Sequence, residues 1–187
     1  MPTLARRIAT AAGLGLAAAA TAVATTAAPA AAGPHYPWQD PGTQRSLTEA
    51  AITQVGLSYC WGGGTATGPT YGVAGSNCNA NTGKGFDCSG LVHYALARAG
   101  RDPGDRTADW YAKNLGTKVD SPVPGDLLFW DWDSNGTFDH TAIYLGRNRD
   151  NNKLEYVEAN GAKGKTAATG HRVKISAYTG AHRIRRA

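Results

Sequence analysis

The run "GFDCSG" places Cys88 at the first turn of a helix-like segment, directly after a glycine-rich stretch. Unpaired backbone amides and the positive end of the helix field favour an anion there, so a thiolate is stabilised. Ser89 and Gly90 are small and are expected to leave room for a substrate carbonyl. A buried, inert thiol beneath the loop is the other reading that position alone allows. A nucleophilic thiolate needs a base, and the chain has five histidines. His140 opens the strand-like run "HTAIYLG" after the turn "DSNGTFD", where it is both held and exposed at a rim. His93 lies five positions beyond Cys88, a poor facing relation on a helix. His171 and His182 have turn-like, surface-type surroundings, and His35 lies near the N-terminus. The run "KLEYVEANG" supplies a third group to hold the imidazole. Strand alternation puts Leu154, Tyr156, Glu158 and Asn160 on one face, with Glu155 and Val157 on the other. An unpaired carboxylate at Glu158 between apolar neighbours is costly, and a hydrogen bond to His140 offsets that cost. Asn160 is the reserve. Cys88, His140 and Glu158 together suit acyl transfer through a covalent intermediate.

These residues fall on elements that the pattern of the chain supplies. "SLTEAAITQVGLSY" predicts a helix over 46–56, with Ser46 and Glu49 as a capping box and Leu47, Ala51 and Val55 at helical spacing. A second, well-buried helix runs from Asp87, capped by Asp87 or Ser89 and stopped by Gly100. Its stripe is Leu91, Ala95 and Ala99, widened by Val92 and Leu96. A third, shorter helix is read in "RTADWYAKNLG". Short, turn-bounded strands follow over 125–132, 140–146, 154–161, 171–175 and 181–186. Helices first and strands afterwards describe an α+β domain with a mainly antiparallel sheet. Asp126, after Pro124 and Gly125, reads as a turn former rather than a catalytic acid. Trp130 and Trp132 share a strand face and are core candidates, while Trp110 packs a helix. Residues 62–85 hold almost no large side chain, and so long a loop is expected to be functional.

Residues 1–32 carry 15 alanines, no acid, the basic pair Arg6 and Arg7, and the small-residue run Ala30–Ala32. This reads as a secretory signal peptide, with no transmembrane anchor after cleavage. Cleavage leaves 155 residues, of which 33–45 form an extended lead-in strapped by Tyr36 and Trp38 and 46–187 the working domain. The mature charge falls from +5 to +3, 17 Lys+Arg against 14 Asp+Glu. No Lys/Arg cluster marks a nucleic-acid footprint. Export places the cysteines in an oxidising compartment, where an odd number leaves one unpaired. Cys60 and Cys78 flank the glycine-rich loop and are read as a pair, leaving Cys88 free. Such a bridge contributes on the order of 3 kcal/mol. The alternative, a zinc site on all three thiols, lacks a C-x-x-C pair.

The chain resembles the NlpC/P60 family of cell-wall cysteine peptidases, which are papain-like. The motifs that carry the resemblance are "YCWGGG" (59–64), "GFDCSGLV" (85–92), "PGDLLFW" (124–130), "DHTAIYLG" (139–146) and "YVEA" (156–159), in the family's order. The resemblance implies a papain-like fold with Cys88 as nucleophile, His140 as base and Glu158 as the residue that orients it. It also implies that Tyr59 lines the site near the oxyanion, together with the Cys88 amide and Ser89. The implied substrate is the stem peptide of peptidoglycan, often cut between D-glutamate and the diamino acid, by a secreted or wall-associated monomer that needs no metal or organic cofactor. The 62–85 loop is longer than the family's usual spacing and could roof the cleft. An amidase, transpeptidase or antibacterial toxin with the same triad, and a non-catalytic wall-binding module, are the competing expectations.

Overall fold

The computed structural model describes residues 36–38 and 44–187; the 1–32 export segment and most of the 33–45 lead-in lie outside the described residues. The chain runs α1 (Arg45–Ile52), β1 (Ser58–Tyr59), β2 (Gly85–Phe86), α2 (Cys88–Arg98), α3 (Ala108–Asn114), β3 (Thr117–Lys118), β4 (Leu127–Trp130), β5 (His140–Arg147), β6 (Leu154–Ala159), β7 (Val173–Ala177) and β8 (Arg183–Arg186). The six later strands form one antiparallel sheet in the order β3-β8-β4-β5-β6-β7. Strands β1 and β2 pair in parallel as a separate short ladder. The fold is α+β, as the element order predicts. The two-residue strands β1, β2 and β3 have no periodicity to announce them.

Strand β5 is buried from His140 to Gly146 because both its faces are covered. Ile143 and Leu145 pack with Leu47 of α1 and with Leu91 and Leu96 of α2. Ala142 and Tyr144 pack with Leu128 and Ile184 on the opposite face. Double-sided burial explains why "HTAIYLG" reads as a nearly continuous apolar run. Each large side chain so buried stabilises by about 1.5–3 kcal/mol.

Helix α1 begins one residue before the expected cap. Its N-cap is Gln44, which makes no side-chain cap, and Glu49 turns instead to Arg45 at 2.7 Å. Tertiary contacts set this start: the Gln44 side chain donates to the Ala187 carbonyl at 3.2 Å and accepts from Arg101. The helix ends at Ile52, so Val55 lies beyond it and is exposed. Tyr36 donates to Thr48 Oγ1 at 2.7 Å, and the Trp38 indole donates to buried Glu155 at 2.8 Å. Asp126 is fully buried; it accepts from the Val123 amide at 2.8 Å and from both arms of the Arg186 guanidinium at 3.0 and 2.9 Å. It is therefore a turn former and also the anchor of β8.

The 58–64 segment and the 85–90 segment that leads into α2 interlock through glycine. A Cβ at Gly90 would lie 1.9 Å from the Gly63 carbonyl oxygen, and one at Gly85 would lie 1.7 Å from the Ser58 carbonyl oxygen. Cys60 and Cys78 are disulfide-bonded, with Cα atoms 5.8 Å apart, and Cys88 is free. Gly90→Ala must therefore shift backbone. It is expected to cost about 2–3 kcal/mol in urea unfolding and to abolish activity. Gly83→Ala, at φ +83° with nothing within 4 Å, is expected to cost about 1 kcal/mol and to leave activity intact.

Candidate active site

Asp87 is the N-cap of α2, and its side chain fixes the first turn of that helix. Oδ1 accepts from the Gly90 amide at 2.7 Å and from Ser89 Oγ at 2.9 Å, while Oδ2 accepts from the Gly62 amide at 2.9 Å. One carboxylate thereby joins the glycine loop to the helix that starts at Cys88. Burial raises the Asp87 pKa against these three hydrogen bonds, which lower it, and the charge of Asp105 adds to the rise. Gly90 does not open space for a substrate, contrary to expectation. It is buried, and its missing side chain makes room for the Gly63 carbonyl.

His140 is the first residue of β5 and pairs with Trp130 of β4. The ring is 6% exposed, buried rather than held out at a rim as expected; its Nε2 is 2.8 Å from Glu158 Oε2, and the Cys88 side chain lies beside the imidazole. Desolvation of this buried ring lowers its pKa. The hydrogen bonds to Cys88 and Glu158 and the charges of both outweigh that effect and raise it to about 9. Glu158 is buried on β6, where Ser176 Oγ donates to Oε1 at 2.6 Å and Lys174 Nζ lies 3.7 Å away. Burial raises the Glu158 pKa, but His140, Ser176 and Lys174 together hold it below the ordinary carboxylate value. Asn160, the reserve, braces Glu158 from 3.4 Å instead of taking its place. The alternation read along β6 is the one observed: Glu155 points away, to Trp38, Asn148 and Asn151.

These groups open into a cleft of about 420 Å³ lined by Tyr59, Trp61, Cys88, Ser89, Trp132 and His140, among others. Tyr59 is 2% exposed. Burial pushes its phenol well above the ordinary range, with the nearby Cys88 and Asp87 charges adding to the rise, so it stays a neutral O–H donor. Gly161 lies flat on its ring, where a Cβ would come within 2.3 Å. The Ser89 hydroxyl is engaged by Asp87 while its side chain lines the cleft. Trp61, just before the long loop, lines the cleft, and Gly62 of the loop lines an adjoining pocket with Arg106 and Trp110. The rest of the loop does not roof the cleft. It props the 161–164 segment from below, through Asn77 donating to the Gly164 carbonyl at 2.9 Å.

Two tryptophans depart from the sequence reading. Trp132 lies beyond the end of β4, is 64% exposed and stacks on His140. Trp110 is exposed on α3, under the Arg106 guanidinium. The turn before His140 keeps Trp132 out of the core, because Asp131 and Asp139 accept its amides and close it as a compact loop. The carboxylates of Asp131, Asp133 and Asp139 approach within 4.8 Å of one another there, at the rim. Among the other histidines, His93 is buried and pairs with Asp102 at 2.7 Å. His171 is half-buried rather than a surface group, and its carbonyl accepts from the Tyr59 amide at 3.0 Å. His182 is exposed and accepts from the Asp131 amide at 2.9 Å. His35 lies outside the described residues.

The chain is 36% identical over 119 residues to the peptidoglycan endopeptidase RipB of Mycobacterium tuberculosis, an alignment that covers 64% of this chain and 44% of RipB. It thus spans less than half the length of that relative. A solved structure of the peptidoglycan hydrolase RipB from Mycobacterium tuberculosis superposes with a TM-score of 0.59 at 31% identity, covering 78% of this chain and 64% of that one. RipD of Mycobacterium tuberculosis, described as a non-catalytic NlpC/P60 domain protein adapted to peptidoglycan binding, gives 0.57 at 26% identity, covering 77% and 96%. The NlpC/P60 family model matches residues 56–183, well over half of the sequence, and the chain belongs to that family.

Proposed function

We propose that the protein is an exported cysteine peptidase that hydrolyses peptidoglycan stem peptides, at the bond between D-glutamate and the diamino acid. Family membership does not decide for catalysis, since RipD is described as non-catalytic. The observation that carries the proposal is His140 held between Cys88 and buried Glu158 at the floor of an open cleft. A pure binding module has no use for a buried carboxylate aligned on a histidine that faces a free thiol. The peptidoglycan substrate rests on the relation to RipB, and export rests on residues 1–32.

In this reading the Cys88 thiolate attacks the peptide carbonyl. The Cys88 amide and the Tyr59 hydroxyl donate to the developing oxyanion. Imidazolium at His140 protonates the leaving amine, and neutral His140 then activates the water that releases the acyl group. Glu158 keeps the ring oriented and favours its charged form.

Incubation with defined muropeptides and mass analysis of the products tests the reading. Cleavage at the D-glutamyl bond is expected for the native protein, and Cys88→Ala should lower the rate at least about a thousandfold with the fold intact. Products of amide cleavage at the sugar, or binding without cleavage, contradict it. The pH dependence follows from His140. Its pKa of about 9 lies above the ordinary 6.5, so the charged ring stabilises the fold fully below pH 6.5, and this contribution is lost as pH rises through about 9. The alkaline limb of kcat/KM is therefore expected near pH 9. In Glu158→Gln it should move down toward 6.5 while kcat falls by about tenfold or more.

A further inference from the structure

An indole that is 64% exposed beside a catalytic histidine calls for a reason, because water is a poor environment for so large an apolar ring. Trp132 has no place in either apolar cluster of the fold. Its ring instead lies nearly parallel to the His140 imidazole, with centroids 5.3 Å apart and planes inclined by 18°. Trp130 contacts the same imidazole at 5.5 Å and 40°, but is committed to the sheet through Tyr156 and through its hydrogen bond to the Gly180 carbonyl. Trp132 is fixed in its own way. Its amide donates to Asp139 Oδ2 at 3.0 Å, and the Asp139 amide donates to the Trp130 carbonyl at 2.8 Å. The indole is thus carried by the residue that precedes His140 in the chain.

The hydrogen bond from His140 to Glu158 fixes one ring nitrogen but leaves the imidazole free to tilt about that contact. A flat ring stacked on its face removes the tilt. The imidazole then keeps its orientation beside Cys88. The same indole lines the cleft, where it excludes water from the exposed side of the ring pair. An aromatic face is also favourable ground for the positive imidazolium, which aliphatic side chains of similar size are not.

We infer that Trp132 is a positioning residue for the Cys88–His140 pair, holding the imidazole plane against tilt and shielding it from solvent. The inference rests on the proposed roles of Cys88 and His140, yet its test needs no peptide. The Cys88 sulfur displaces iodide from iodoacetamide, the S–C bond forming as the C–I bond breaks and iodide leaves to solution, and Cys88 is the free cysteine of the chain. The alkylation rate at neutral pH therefore reads the armed thiol directly. Trp132→Ala and Trp132→Leu should each slow alkylation about tenfold, while Trp132→Phe, which restores an aromatic face, stays within about twofold of the native rate. Circular dichroism should be unchanged in all three. An alanine variant that reacts at the native rate or faster overturns the inference, as does rescue by leucine equal to that by phenylalanine. A His140→Ala variant that alkylates at the native rate overturns the underlying roles, and this inference with them. If the substitutions behave as expected but muropeptides are not cut, the positioning role stands and the substrate reading fails.

Discussion

The Asp87 carboxylate is the contact on which the site depends. It caps α2 through the Gly90 amide and reaches back to the Gly62 amide in the preceding loop. Two segments far apart in the chain are thereby tied at the residue beside Cys88. Glycines at 63, 64, 85 and 90 allow the backbones to approach closely enough for this to happen, since none has room for a Cβ. The disulfide from Cys60 to Cys78 closes the same loop from its other side. Tyr59 and Trp61 flank Cys60, so these two of the cleft-lining aromatics inherit their position from this knot.

The second constraint is the burial of Glu158. Desolvation raises its pKa, and the His140 imidazole, the hydroxyl of Ser176 and the ammonium of Lys174 outweigh that and hold it below the ordinary carboxylate value. A charged Glu158 then favours a charged His140, and that charge faces the thiol. The sheet makes the arrangement possible, because β5, β6 and β7 are adjacent and in register: Glu158 pairs with Lys174, and Ser176 lies two residues further on. Cys88, His140 and Glu158 thus come from α2, β5 and β6, with Cys88 at a helix start and His140 at a strand start.

Much of this was legible in the sequence because it follows from short-range rules. The place of Cys88 at a helix start and the period-2 face of β6 depend on local pattern alone, and the structure follows them. The start of α1 was not legible, since Gln44 is held by Arg101 and Ala187 from the far end of the chain. Gly90 was given a substrate role because its partner, the Gly63 carbonyl, lies 27 positions away. Trp132 looked like core because strand alternation was carried past Trp130, where the turn closed by Asp131 and Asp139 had already ended the strand. Hydrophobic period marks which side chains avoid water, but it cannot mark an indole left at a rim to serve a neighbour.

The central claim is that one thiol performs the chemistry. With Cys60 and Cys78 bonded to each other, Cys88 can be modified stepwise while the rest of the chain is left unchanged. The decisive measurement is muropeptide hydrolysis as a function of the fraction of Cys88 carrying a carboxamidomethyl group, counted by intact mass. The account predicts a straight decline that reaches zero at one group per chain. Hydrolysis that persists when every Cys88 is blocked would contradict it.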